Sequence, residues 1–125
     1  MVTLRLSKLP KTWIIDLDGT IFPHNGHLIE IIEKPLDGVK DLFKQFHEED
    51  FVIILTSRKH EYREGTVNSL KESGIRFDVL LMDMPKGERI LINDRKESGL
   101  ETAYSICVER DSGLHNVQIV LDDSL

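Results

Sequence analysis

The sequence predicts an α/β domain, a parallel sheet with helices on both faces. Three observations carry this. The candidate strands Trp13-Ile14-Ile15, Phe51-Val52-Ile53-Ile54-Leu55 and Ile90-Leu91-Ile92 are near-continuous apolar runs, too apolar for a half-exposed sheet. They alternate with stretches of helical periodicity. Each also ends in a polar cluster, and in open parallel sheets ligands bind beyond the carboxyl ends of the strands.

Taken in order, residues 1–11 alternate partly and end at Pro10-Lys11, an edge strand or a loose tail. The first buried strand spans 12–16 and breaks at Asp16-Leu17-Asp18-Gly19-Thr20. Asn25-Gly26 is a hairpin-turn signal, because a type I′ turn needs positive φ at both central residues, so 20–33 reads as a small β-hairpin flap returning through Leu28–Ile32. Asp37 is a candidate N-cap for a helix whose apolar face is Val39, Leu42, Phe43 and Phe46 and which ends near 48–50. The second strand, 51–55, stops at Thr56-Ser57-Arg58-Lys59. A second helix over about 60–73 stops at Gly74. Short strands are expected at Asp78–Leu81, at 90–92 ending in Asn93-Asp94-Arg95, at 103–108 and, as an edge, at 117–121. Phe43, Phe46, Tyr62 and Leu70 read as core.

Composition narrows the function. At 125 residues with 40% apolar and 30% charged residues, the chain is one globular domain without repeats or linkers. A net charge of −6 and the lack of a Lys/Arg run argue against nucleic acid as partner. The single cysteine, Cys107, excludes an internal disulfide and reads as a small buried hydrophobe in a reducing compartment. No signal-peptide core or membrane-length apolar run is present, so the expectation is a cytoplasmic protein without a membrane partner.

The polar clusters suggest phosphoryl chemistry. Two carboxylates two residues apart at a strand tip are costly without something positive between them. A carboxylate can attack phosphorus if a cation offsets the repulsion, and magnesium with Asp16 and Asp94 as oxygen ligands fits that need. Asp18 is placed to protonate the leaving oxygen and then activate water. Thr56 offers a hydroxyl and a backbone N–H to a phosphoryl oxygen. Lys86, eight positions before Asp94, is the candidate neutralising cation, with Arg89 as its rival. Gly19, Thr20, Ser57 and Arg58 are candidate substrate contacts, although Arg58 and Lys59 could equally be surface charges. His24 and His27 flank the flap tip as possible substrate contacts or solvated turn residues.

A strand ending Asp16-Leu17-Asp18-Gly19-Thr20, a second ending in Thr56 and a third ending in Asn93-Asp94 resemble the haloacid dehalogenase superfamily of phosphohydrolases over about residues 12–95. The resemblance implies a three-layer, Rossmann-like domain. It implies Asp16 as nucleophile, Asp18 as general acid/base, and Thr56 with a lysine as phosphoryl clamps. It also implies Mg2+ held by Asp16, Asp94 and the backbone carbonyl of Asp18. Asn93 stands where the family often has Asp or Gly. The short spacings leave no room for a cap domain, and capless members resemble enzymes for large substrates or oligomers in which a neighbour closes the site. The stretch from Gly87 to Asp94 resembles small phosphatase-like proteins of bacterial surface-polysaccharide and sugar-nucleotide synthesis, which implies a sugar phosphate as substrate. Competing expectations are a non-catalytic domain partnering a sugar-nucleotide enzyme and a phosphoacceptor switch.

Overall fold

A computed structural model describes residues 1–125. In chain order the elements are β1 (Val2–Leu6), β2 (Thr12–Asp16), α1 (Val39–Phe43), β3 (Phe51–Leu55), α2 (Arg63–Glu72), β4 (Val79–Leu81) and β5 (Val117–Leu121). Single 3-10 turns lie at Gly26–Leu28 and His60–Tyr62. The class is α/β with parallel pairing throughout, divided between a three-stranded sheet ordered β2-β3-β4 and a two-stranded sheet of β1 with β5.

β2 and β3 pair from Thr12 opposite Phe51 to Asp16 opposite Leu55, so the two apolar runs end level. β3 is central, and its Val52 and Ile54 are fully buried, as a strand flanked on both sides requires. Around them pack Leu17, Ile21, Phe22, Val39, Leu42 and Leu70. Trp13 stacks on Phe46 with ring centroids 4.3 Å apart. At the amino end of the sheet Asp50 accepts from the Lys11 N–H at 2.8 Å, the Trp13 Nε1–H at 2.9 Å and the His47 N–H at 3.0 Å. Burial alone would raise the Asp50 carboxyl's pKa, but these three donors hold it below the ordinary value.

The strands at 12–16, 51–55 and 117–121 and the stop at Gly74, with φ 68°, fall where the sequence predicts, but β2 is an edge strand with Ile14 49% exposed and not the buried strand expected. Several expectations need correction. The flap is not a hairpin. Asn25 takes the expected positive φ of 58°, but the chain then curls, with Ile29 N–H and Glu30 N–H both donating to the Gly26 carbonyl at 3.1 and 2.9 Å. Pro23 lacks the N–H that a returning ladder needs, and Glu33 is drawn under the turn towards Arg58, which takes 28–32 away from any partner strand. Ile90-Leu91-Ile92 is not a strand: no backbone–backbone hydrogen bond involves residues 85–95. Only residues 82–89 separate it from β4, and a parallel crossover needs about a dozen. Residues 103–108 form no strand either. α1 is capped by Gly38 at φ 77°, not by the Asp37 side chain, and ends at Phe43. Cys107 is exposed and Tyr62 lies at the surface, whereas Phe46 and Leu70 are core. The two helices, of five and ten residues, are sparse cover for the sheet.

Candidate active site

Where β2 ends, the Leu17 carbonyl accepts the N–H groups of Thr20, Ile21 and Phe22, which curls the chain tightly around a fully buried Leu17. Gly19 makes the curl possible. Its φ is 82°, and a Cβ there would sit 3.0 Å from Arg110 Cγ. The curl sets Thr20 back over the strand tip, where its hydroxyl donates to Asp16 Oδ2 at 3.0 Å. Arg89 Nη1 donates to the other oxygen, Asp16 Oδ1, at 2.6 Å. Asp16 is about one-third exposed, so solvent can reach the carboxylate and its arginine.

Asp18 faces inward. Thr56, the residue after β3, donates its hydroxyl to Asp18 Oδ2 at 2.6 Å and accepts the Arg58 N–H at 3.0 Å. Arg58 Nε donates to Asp18 Oδ1 at 2.8 Å. The Arg58 guanidinium then forks onto Glu33, Nη1 to Oε2 and Nη2 to Oε1 both at 2.7 Å, and Nη1 also reaches Thr66 Oγ1 at 3.0 Å. Burial would lower the Arg58 pKa, yet its bonds and charge pairing with Glu33 and Asp18 raise it, so the guanidinium is always charged. Arg58 is thus a buried anchor, not the exposed anion contact that the sequence suggests. Glu33, in an Ile-Ile-Glu-Lys stretch, carries no motif that marks it as the partner.

His27 stands beside this network, edge-on to Tyr62 at 4.7 Å, with Nδ1 buried, unpartnered and 3.9 Å from Asp18 Oδ1. Burial, helped by the Arg58 charge, lowers its pKa, which favours neutral imidazole. His24 contributes through its backbone, donating its N–H to Asp111 Oδ1 at 2.7 Å.

The structure therefore brings together Asp16, Asp18, Gly19, Thr20, Thr56 and Arg58, and adds Arg89, Glu33 and His27. Ser57 is half-buried beside them without a hydrogen bond of its side chain. Lys86 is exposed and makes no ion pair; Arg89, its rival, is the cation at Asp16. Asp94 does not join the group. It lies in the exposed 94–102 loop, its N–H on Asn93 Oδ1 at 3.1 Å and its carbonyl accepting from the Thr102 hydroxyl.

The resemblance implies a magnesium site on Asp16, Asp18 and Asp94. No group of three His, Cys, Asp or Glu side chains is gathered to hold an ion. Both oxygens of Asp16 and both of Asp18 already accept bonds. As placed, Asp16, Asp18 and Asp94 do not fit a carboxylate-bound divalent cation. No helix is long and apolar enough to cross a membrane. No protein-family model matches the chain, and no curated protein or solved structure matches it at a significant level.

Proposed function

We propose that the chain is a phosphomonoesterase of the haloacid dehalogenase type, acting on a small phosphorylated metabolite through an aspartyl-phosphate on Asp16. The observation that supports this best is the convergence of Asp16, Asp18 and Thr56 at the carboxyl ends of two adjacent parallel strands, with the Thr56 hydroxyl 2.6 Å from Asp18. The architecture that goes with the proposal is a capless, doubly wound sheet in a cytoplasmic protein, with a second copy as the candidate partner. A sugar phosphate is the first substrate to test.

In the first step an Asp16 oxygen attacks phosphorus, the bond from phosphorus to the ester oxygen breaks, and Asp18 gives that oxygen a proton. In the second step water attacks the same phosphorus, its proton passes to Asp18, and Asp16 leaves as the free carboxylate. Arg89, rather than Lys86, is the side chain that offsets charge during attack, because its guanidinium is at the attacking carboxylate. Thr56 and Arg58 hold Asp18 at its angle to Asp16.

The test is phosphate release from sugar phosphates, nucleotides and an aryl phosphate, with and without magnesium, beside Asp16→Asn. Release that disappears in Asp16→Asn is expected. Failure on every ester, with no acyl-phosphate trapped by hydroxylamine, overturns the proposal. A second reading has its own support: Asp18 is tied into a buried ion-pair network and Asp16 is covered by Arg89, an arrangement that also suits a non-catalytic or phosphoacceptor domain. Trapped acyl-phosphate without turnover would favour the phosphoacceptor.

A further inference from the structure

An open cleft of about 460 Å³ between α1 and the end of α2 is lined by Lys40, Lys44, Lys71 and Arg76, against one carboxylate, Glu72. Phe43 is its one apolar wall. The chain has 22 Asp and Glu against 16 Lys and Arg, so a cleft with this excess of positive charge runs against the overall balance. None of the four cations takes part in an ion pair. The Lys44 N–H donates to the Lys40 carbonyl at 3.1 Å, so the two ammonium groups lie one turn apart on the same face, where like charges repel. Arg76 is fixed in place: Nη1 donates to the His47 carbonyl at 3.0 Å and Nη2 to the Asp50 carbonyl. Carbonyls position a guanidinium without neutralising it, and they leave it further N–H groups uncommitted. Helix capping does not account for the cluster. The Ser69, Leu70 and Lys71 carbonyls at the end of α2 already accept from the Ser73, Ile75 and Gly74 N–H groups.

We propose that this cleft binds a compact polyphosphorylated anion, a small ligand with a diphosphate or triphosphate group, at a site separate from Asp16. Several linked phosphates are needed because each cation is open to solvent, where a single charge pair contributes little. Adjacent phosphates can meet lysines of both helices and the Arg76 guanidinium at once. The size favours a small molecule, since clefts for such ligands span about 300–1,000 Å³. A nucleic acid or an extended acidic segment would run out of the cleft onto a surface whose charge is negative in excess. Arg76 stands at the starts of β3 and β4, and β3 runs five residues, about 16 Å, before Thr56. The ligand therefore lies at the opposite end of the sheet from Asp16 and Asp18, and the site holds whether or not the protein is a phosphatase.

Calorimetric titration of the full chain with tripolyphosphate, without divalent metal, tests this beside amide chemical shifts. Binding tighter than about 1 mM is expected, with shifts at Lys44, Lys71 and Gly74 and a rise in Tm as the site fills. Sulfate, with one anionic group, should bind at least about tenfold more weakly. Lys40→Gln with Lys44→Gln should weaken tripolyphosphate at least about tenfold, while the ligand-free Tm stays level or rises because a like-charge pair is gone. Lys71→Gln, on the other wall, should weaken it too. Binding no tighter than about 1 mM, equal affinity for sulfate, or full affinity in these variants overturns the proposal. So do shifts confined to Asp16, Thr56 and Arg89, which would assign the anion to the candidate active site. Tighter binding of an oligoglutamate peptide also overturns it and would assign the cleft to an acidic protein.

Discussion

Arg58→Met separates a structural arginine from a substrate-binding one. The side chain is 1% exposed and its main partner, Glu33, 2%. Removing the guanidinium strips four hydrogen bonds: two from Glu33, one from Asp18 and one from Thr66. It leaves Glu33 as a buried carboxylate with no counter-charge. Breaking a buried ion pair from one side costs about 3–5 kcal/mol, a large share of the roughly 5–15 kcal/mol that stabilises a domain. For a chain of 125 residues, an unfolding entropy of about 2.1 cal/mol/K per residue means about 4 °C in Tm per kcal/mol. The expected fall in Tm is therefore about 12–20 °C, measured by circular dichroism at neutral pH and checked by urea titration. Adding Glu33→Leu should recover part of the loss, because the orphaned carboxylate goes with it. A shift under about 2 °C, or the same loss with and without Glu33→Leu, would refute the claim that the pair anchors the site.

Asp50→Ala should destabilise by about 2–4 kcal/mol, since it orphans three N–H donors. In the parent the depressed Asp50 pKa contributes stability that is full above the unfolded carboxyl value and is lost as pH falls through the folded one, so urea midpoints should drop on the acid side of pH 4 and Asp50→Asn should flatten that drop. Gly113→Ala should lower Tm sharply or prevent folding, because φ is 84° and the new Cβ would meet the Asp37 carbonyl at 2.1 Å; normal stability would refute that close approach. Arg89→Met removes a partly exposed ion pair, so unfolding should shift by less than about 1 kcal/mol while phosphate release falls; unchanged release would remove Arg89 from the proposed chemistry.

The parts of the site legible in the sequence are those fixed by strand ends. Trp13-Ile14-Ile15 and Val52-Ile53-Ile54 read as strands of one parallel sheet, and once they pair level, Asp16, Asp18 and Thr56 come together. What could not be read depends on long side chains and on choices between local conformations. Asn25 serves a hairpin turn and the entry to a 3-10 turn with the same φ, and the contact that accompanies the curl, Glu33 with Arg58, joins residues 25 positions apart. Arg58 and Lys59 are adjacent cations after the same strand, yet one is buried against a carboxylate 25 positions away and the other exposed. The apolar pattern of 90–92 signals a strand, and the structure has none there; the pattern says nothing of the eight-residue connection from β4, which is short for a parallel crossover.

The pairing of β1 with β5 bears on the order of folding. Thr3 and Gln118, matched in this ladder, are 115 positions apart, and nothing else pairs with either strand. During synthesis β1 emerges first among these elements and must wait for nearly all the others before it finds a partner. At about 5–20 residues per second, that is a wait of about 6–23 seconds for a five-residue strand with no ladder. The three-stranded sheet can form meanwhile, because β2, β3 and β4 all lie between residues 12 and 81. The β1–β5 ladder is then the late, entropically costly closure. It should be the first part of the fold to open under mild denaturant, with the Asp16–Asp18 strand tip still intact.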